Sequence, residues 1–166
     1  MECRKQAESK RCSKMNKDAV ILIAEDDPGH VELVKKNLWR SCVENSILQF
    51  KDGQEILDFL FKRDDKAKRG ERGFYLLLLD IRMPKVDGQE VLRQIKEDEE
   101  LRKIPVIILT TTDEASEVDR YYEMGCSFYM IKPADYNKFM EAVENLGAFL
   151  SLDGVRVPLI NGVGAS

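Results

Sequence analysis

Five side chains in this sequence are of the types that handle phosphate and divalent metal: Glu25, Asp26, Asp80, Thr110 and Lys132. Carboxylates are hard oxygen ligands, and three of them are few enough that a hexacoordinate ion would keep waters, as Mg2+ usually does. Clustered carboxylates repel one another and rise in pKa unless a metal or a lysine cancels the charge. Lys132 supplies such a charge, and Thr110 supplies a hydroxyl donor. Phosphoryl transfer asks a protein mainly to position groups and to neutralise charge on the equatorial oxygens. Asp80 is the natural nucleophile of the set, because a carboxylate can attack phosphorus and hold the group as an acyl phosphate. Taken singly, each residue has a plainer reading: Asp80 suits a turn, Lys132 a solvated surface, and Thr110 to Thr112 a strand.

Position makes the difference. Phe74 to Leu79 is an apolar run of strand length that ends in Asp80 and is broken by Met83-Pro84. Ala19 to Ala24 is a second such run, ending in Glu25-Asp26-Asp27-Pro28; Asp27 suits a helix N-cap and Pro28 the first helical position. Ile104 to Leu109 ends in Thr110, and Ser127 to Ile131 ends in Lys132-Pro133. Ser46 to Phe50 completes five strand candidates. Helical spacing separates them, with Val31, Val34, Leu38 and Trp39 on one inward face, then Ile56, Leu57, Leu60 and Phe61, then Val91, Leu92 and Ile95. Ala115 to Met124 and Tyr136 to Leu150 are the last two helices.

Five strand-helix units predict an α/β protein with a five-stranded parallel sheet and helices on both faces. About 120 residues in five units favour an open doubly wound sheet over an eight-fold barrel. Parallel strands bring their C-terminal tips to one rim, where ligands bind, so the five side chains are expected to converge.

Composition sets the bounds. The 166 residues suit one domain, with residues 1–17 a polar tail, 18–150 the domain and 151–166 a C-terminal tail. Apolar content of 43%, charged content of 34% and a net charge of −4 describe a soluble globular chain with no general pull on nucleic acid. The short apolar runs exclude a membrane span or signal core, so the expected location is cytoplasmic. Cys3, Cys12, Cys42 and Cys126 lack metal or disulfide spacing, and the lone His30 has no partner motif; Cys42 and Cys126 are read as small buried hydrophobes. The residues after Leu150 are too few for a DNA-binding domain.

In combination, Glu25-Asp26, Asp80 with Met83-Pro84 and Asp87-Gly88, Thr110, and Lys132-Pro133 resemble the receiver domains of two-component response regulators. The resemblance covers about residues 18 to 150. It implies a flavodoxin-like (βα)5 fold, Asp80 as phosphoacceptor from a sensor histidine kinase, and Mg2+ held by Glu25 (largely through water), Asp26, Asp80 and the backbone carbonyl of Arg82. Thr110 and Lys132 would contact the phosphoryl oxygens, Tyr129 would be the aromatic switch residue, and the Lys132-Pro133 bond would be cis. Arg82 would tune the lifetime of the acyl phosphate, and Thr111, where a smaller residue is frequent, would tighten access. Such a protein is a signalling phosphoacceptor rather than an enzyme.

The segment from Glu99 to Thr111 and the extended loop before the third strand look similar to the small regulators that serve phytochrome-type kinases, which often form homodimers through the fourth helix, fifth strand and fifth helix. Two alternatives stand beside this reading. A phosphohydrolase of the aspartyl-phosphate type would want a second acid where Arg82 stands. A pseudo-receiver acting only as an interaction module would have lost the acceptor or the acidic pair.

Overall fold

The computed structural model describes residues 16–61, 72–152 and 154–161. Its order is β1 (Ala19–Ala24), α1 (Pro28–Arg40), β2 (Ile47–Phe50), α2 (Gly53–Phe61), β3 (Arg72–Asp80), α3 (Gly88–Glu97), β4 (Val106–Thr110), α4 (Ala115–Glu123), β5 (Phe128–Ile131), α5 (Tyr136–Leu150) and β6 (Leu159–Asn161), with a 3-10 turn at Leu101–Lys103 before β4. The five long strands are parallel in the order β2-β1-β3-β4-β5, the flavodoxin-like arrangement.

Alternate residues of each strand serve opposite faces. Ile21, Ile23, Leu76 and Leu78 pack with Val31, Val34 and Leu38 of α1 and Phe139, Val143 and Leu150 of α5. Leu22, Ala24, Leu77 and Leu79 pack with Ile56 and Leu60 of α2, Val91, Leu92 and Ile95 of α3, and Tyr121 of α4. Each fully buried leucine or isoleucine contributes about 1.5–3 kcal/mol, so these two clusters hold the layers to the sheet. Their spacing is what fixes the rim.

Three expectations are corrected. The C-terminal segment is not a bare tail: β6 pairs antiparallel with Arg72–Phe74, Ile160 is fully buried, and Val157 is buried and exchanges hydrogen bonds with the Asn16 side chain. A sixth strand fits there because β3 begins at Arg72, earlier than expected, and its first residues extend past the start of β4. Trp39 is 57% exposed, and Asn37 takes a buried place on α1 by donating to the Leu33 carbonyl. Cys42 is only half-buried, has a left-handed φ of 64° and is disulfide-bonded rather than a buried free thiol; Cys126 is buried and free, as expected. Residues 1–15 and 162–166 of the two expected tails, and most of the charged segment before β3, also lie outside the described residues.

Candidate functional site

The ladder register assembles the site. Ala24 pairs with Leu79, Asp80 with Leu109, and Thr110 with Ile131. Glu25, Asp80, Thr110 and Lys132 therefore end neighbouring strands at nearly one level, and all four are buried. Asp26 follows Glu25 and is exposed.

One carboxylate oxygen from each of Glu25, Asp26 and Asp80 lies within 4.8 Å of the others. The Lys132 ammonium donates to Glu25 Oε2 and stands 3.5 Å from Asp80 Oδ2. Burial pushes the Glu25 carboxyl above its ordinary value and the nearby Asp80 charge adds to this, while the Lys132 ammonium and the Asp27 amide pull the other way. Three formal negative charges thus face one positive charge in a mostly buried seat. Such a donor set, hard oxygens with one solvent-facing side, fits a divalent cation that retains water.

The loop after β3 carries Arg82, which is exposed. It is closed by Gly88 N–H donating to the Ile81 carbonyl at 2.8 Å and by Met83 N–H donating to the same oxygen at 3.2 Å. A Cβ on Gly88 would stand 2.2 Å from the Asp80 carbonyl oxygen, so only glycine lets α3 start this close to the end of β3. Asp87 caps α3 through the Glu90 amide, and Asp27 caps α1 through the amides of Gly29 and His30, as its sequence position predicts.

Tyr129 is half-buried on β5 and donates its hydroxyl to the Thr112 carbonyl at 2.9 Å, two residues beyond Thr110. Its ring lies 5.9 Å from that of Tyr121. The Lys132-Pro133 bond is trans, in contrast to expectation; no cis peptide occurs among the described residues. Trans is the lower-energy isomer of such a bond, and the long lysine stem reaches both carboxylates from it.

His30 was not marked by any motif, yet its Nδ1 lies 3.7 Å from Glu25 Oε2 and 3.8 Å from Asp27 Oδ2, with its ring edge-on to Phe139. The available signal was its place in the first turn of the helix that follows the acidic pair.

Comparison with known proteins agrees with this geometry. Residues 21–144 match the family model of the response regulator receiver domain, and the chain belongs to that family. It is 31% identical over 143 residues to response regulator Rcp1 of Synechocystis sp., covering 86% of this chain and 95% of that protein. The Mn(2+)-bound form of Rcp1 superposes with a TM-score of 0.74 at 30% identity, covering 84% of this chain and 98% of that one. A response regulator receiver domain from Rhodospirillum rubrum gives 0.77 at 41% identity, covering 86% and 99%. The phosphorylated cyanobacterial phytochrome response regulator RcpA gives 0.71 at 29%, covering 79% and 92%. The chain is thus a receiver domain with phytochrome response regulators among its relatives. Among the described residues, no helix is long and apolar enough to cross a membrane.

Proposed function

We propose that this chain is a phosphorylation switch: it takes a phosphoryl group on Asp80 from a phosphohistidine of a sensor histidine kinase and changes its protein-binding surface in response. The observation that carries the reading is the meeting of Glu25, Asp26 and Asp80 within 4.8 Å beside the Lys132 ammonium. An Asp80 carboxylate oxygen attacks phosphorus, the P–N bond to imidazole breaks, and an acyl phosphate remains on Asp80. Mg2+, held by Glu25 (largely through water), Asp26, Asp80 and the Arg82 backbone carbonyl, supplies positive charge to the phosphoryl oxygens when bound. Lys132 neutralises a further oxygen and must leave Glu25 to do so. Thr110 donates its hydroxyl to the third. That movement pulls on the loop whose Thr112 carbonyl holds Tyr129, so charge added at Asp80 biases the surface of α4 and β5.

The relatives named for phytochromes favour a phytochrome-type kinase as donor. A homodimer through α4, β5 and α5 is supported by the exposed aromatic patch there: Phe128 and Phe149 stand with ring centroids 6.0 Å apart beside an apolar groove of about 410 Å3. Incubation with acetyl phosphate and Mg2+ is expected to add one acid-labile phosphoryl group, read by intact mass. Asp80→Asn is expected to abolish it. Labelling that survives the substitution overturns the assignment.

A further inference from the structure

The loop that carries Arg82 is held from a direction the acidic site does not use. Lys85, in the middle of this loop, has a left-handed φ of 65°, a conformation an unbranched L side chain seldom adopts. Its ammonium lies 2.7 Å from Asp52 Oδ2. Asp52 sits in the β2–α2 turn, is 2% exposed, and also accepts the Glu55 amide at 2.8 Å. The neighbouring Gly53 packs so closely on the loop that a Cβ there would stand 1.9 Å from the Val86 carbonyl oxygen. Two consecutive residues of one turn thus engage two consecutive residues of the other.

We propose that Asp52 and Lys85 are positioning residues for the metal seat: their ion pair fixes the β3–α3 loop so that the Arg82 carbonyl is presented to a divalent cation bound by Asp26 and Asp80. The inference rests on the metal-binding reading given above. Asp52 touches neither metal nor phosphate; it acts through Lys85 and the loop backbone. Burial raises its carboxyl, but the Lys85 ammonium and the Glu55 amide outweigh burial and hold it below its ordinary value, so it stays ionised while buried. A buried carboxylate that only capped α2 would be as well served by asparagine, which caps helices equally. The added negative charge is what Lys85 uses.

That difference gives the test. Mg2+ alone is titrated calorimetrically into the full chain and into Asp52→Asn, Lys85→Gln, Lys85→Arg and the Asp52→Asn/Lys85→Gln double variant. Asparagine keeps the cap and glutamine keeps the backbone preference, so both variants remove the ion pair and little else. Each is expected to weaken Mg2+ binding about tenfold, the lower end for residues that orient a ligand from outside. Lys85→Arg is expected to bind close to wild type, and the double variant no more weakly than either single one, because the two residues act as one unit. Phosphorylation from acetyl phosphate is expected to shift to higher Mg2+ in the same variants and to recover fully at saturation, which a general loss of structure does not produce. Wild-type affinity in both single variants, or losses that simply add in the double one, overturns the inference and leaves the phosphorylation reading intact. A wild-type chain that binds no Mg2+ overturns both. Should Asp52→Asn not fold, the Lys85 series, on a mostly exposed side chain, decides alone.

Discussion

The Tyr129 hydroxyl donates to the Thr112 carbonyl at 2.9 Å, and Thr112 is two residues past the Thr110 that ends β4. One hydrogen bond therefore ties the aromatic ring on the edge strand to the loop leaving the acidic rim. The ring is also packed against Tyr121 of α4, so the bond and the α4 surface are parts of one contact.

Tyr129→Phe keeps that packing and removes the bond. The expected cost is about 1 kcal/mol, since a net intramolecular hydrogen bond is worth roughly 0.5–1.5 kcal/mol and the Thr112 carbonyl is left half-buried. Urea unfolding measures it. Under the switch reading, phosphorylation of Asp80 proceeds as in wild type while the amide shifts of α4 that accompany it shrink in NMR spectra. Undiminished shifts at α4 would show that the coupling runs elsewhere.

Three carboxylates in one small seat oppose each other until a cation arrives. Mg2+ is accordingly expected to raise the thermal midpoint, because a ligand that binds only the folded state stabilises it by mass action. Asp26→Asn removes one charge from the solvent-facing side. The metal-free protein is expected to gain on the order of 1 kcal/mol, roughly 3 °C, after allowance for solvent screening. The same variant is expected to lose most of the Mg2+-dependent rise in a thermal scan. A variant that is less stable without metal and still responds to it contradicts the shared seat.

How much of this was legible beforehand follows from which forces are local. The rim was legible because parallel central strands are continuous apolar runs, and each ends abruptly in a charged or hydroxyl residue; Leu76 to Asp80 and Val106 to Thr110 are the clearest. β6 was not, since Val157-Pro158-Leu159-Ile160 has neither helical nor alternating spacing, and its strand exists only because the start of β3 offers it a partner. Trp39 stands about 100° from Leu38 on the helical wheel, beside Lys35 and Lys36, and is exposed, whereas the buried place one turn after Val34 goes to Asn37, whose amide nitrogen donates to the Leu33 carbonyl within the helix. The Lys85–Asp52 pair joins two turns with no motif between them, and only the fold brings them together.

The aromatic patch beside β5 makes a separate claim. Phe128 and Phe149 are 53% and 44% exposed and pack edge to face, an arrangement that leaves apolar area in water. If α4, β5 and α5 form the face of a homodimer, Phe128→Glu places a charge at its centre and is expected to shift sedimentation to that of a monomer, with the thermal midpoint of the monomer little changed. A wild-type chain that sediments as a monomer with and without phosphorylation removes the dimer from the proposal.

Acid stability tests the Asp52 contact without any metal. Asp52 has its carboxyl held below the ordinary value: burial acts to raise it, and the Lys85 ammonium with the Glu55 amide more than reverses that. For an acid whose folded pKa is depressed, the unfolded chain binds the proton first as pH falls. The stabilisation is therefore complete above the unfolded value of about 3.9 and is lost progressively below it. Asp52→Asn cannot titrate, so its unfolding free energy is expected to fall less steeply than that of wild type between about pH 4 and pH 2. Glu25 works in the opposite sense, because burial raises its carboxyl: protonation relieves the folded state, and its contribution grows as pH falls through the raised value. The comparison is therefore made in a Glu25→Gln background, where urea midpoints across this range isolate Asp52. Parallel slopes for the two chains in that background would mean that the buried carboxylate gains nothing from Lys85.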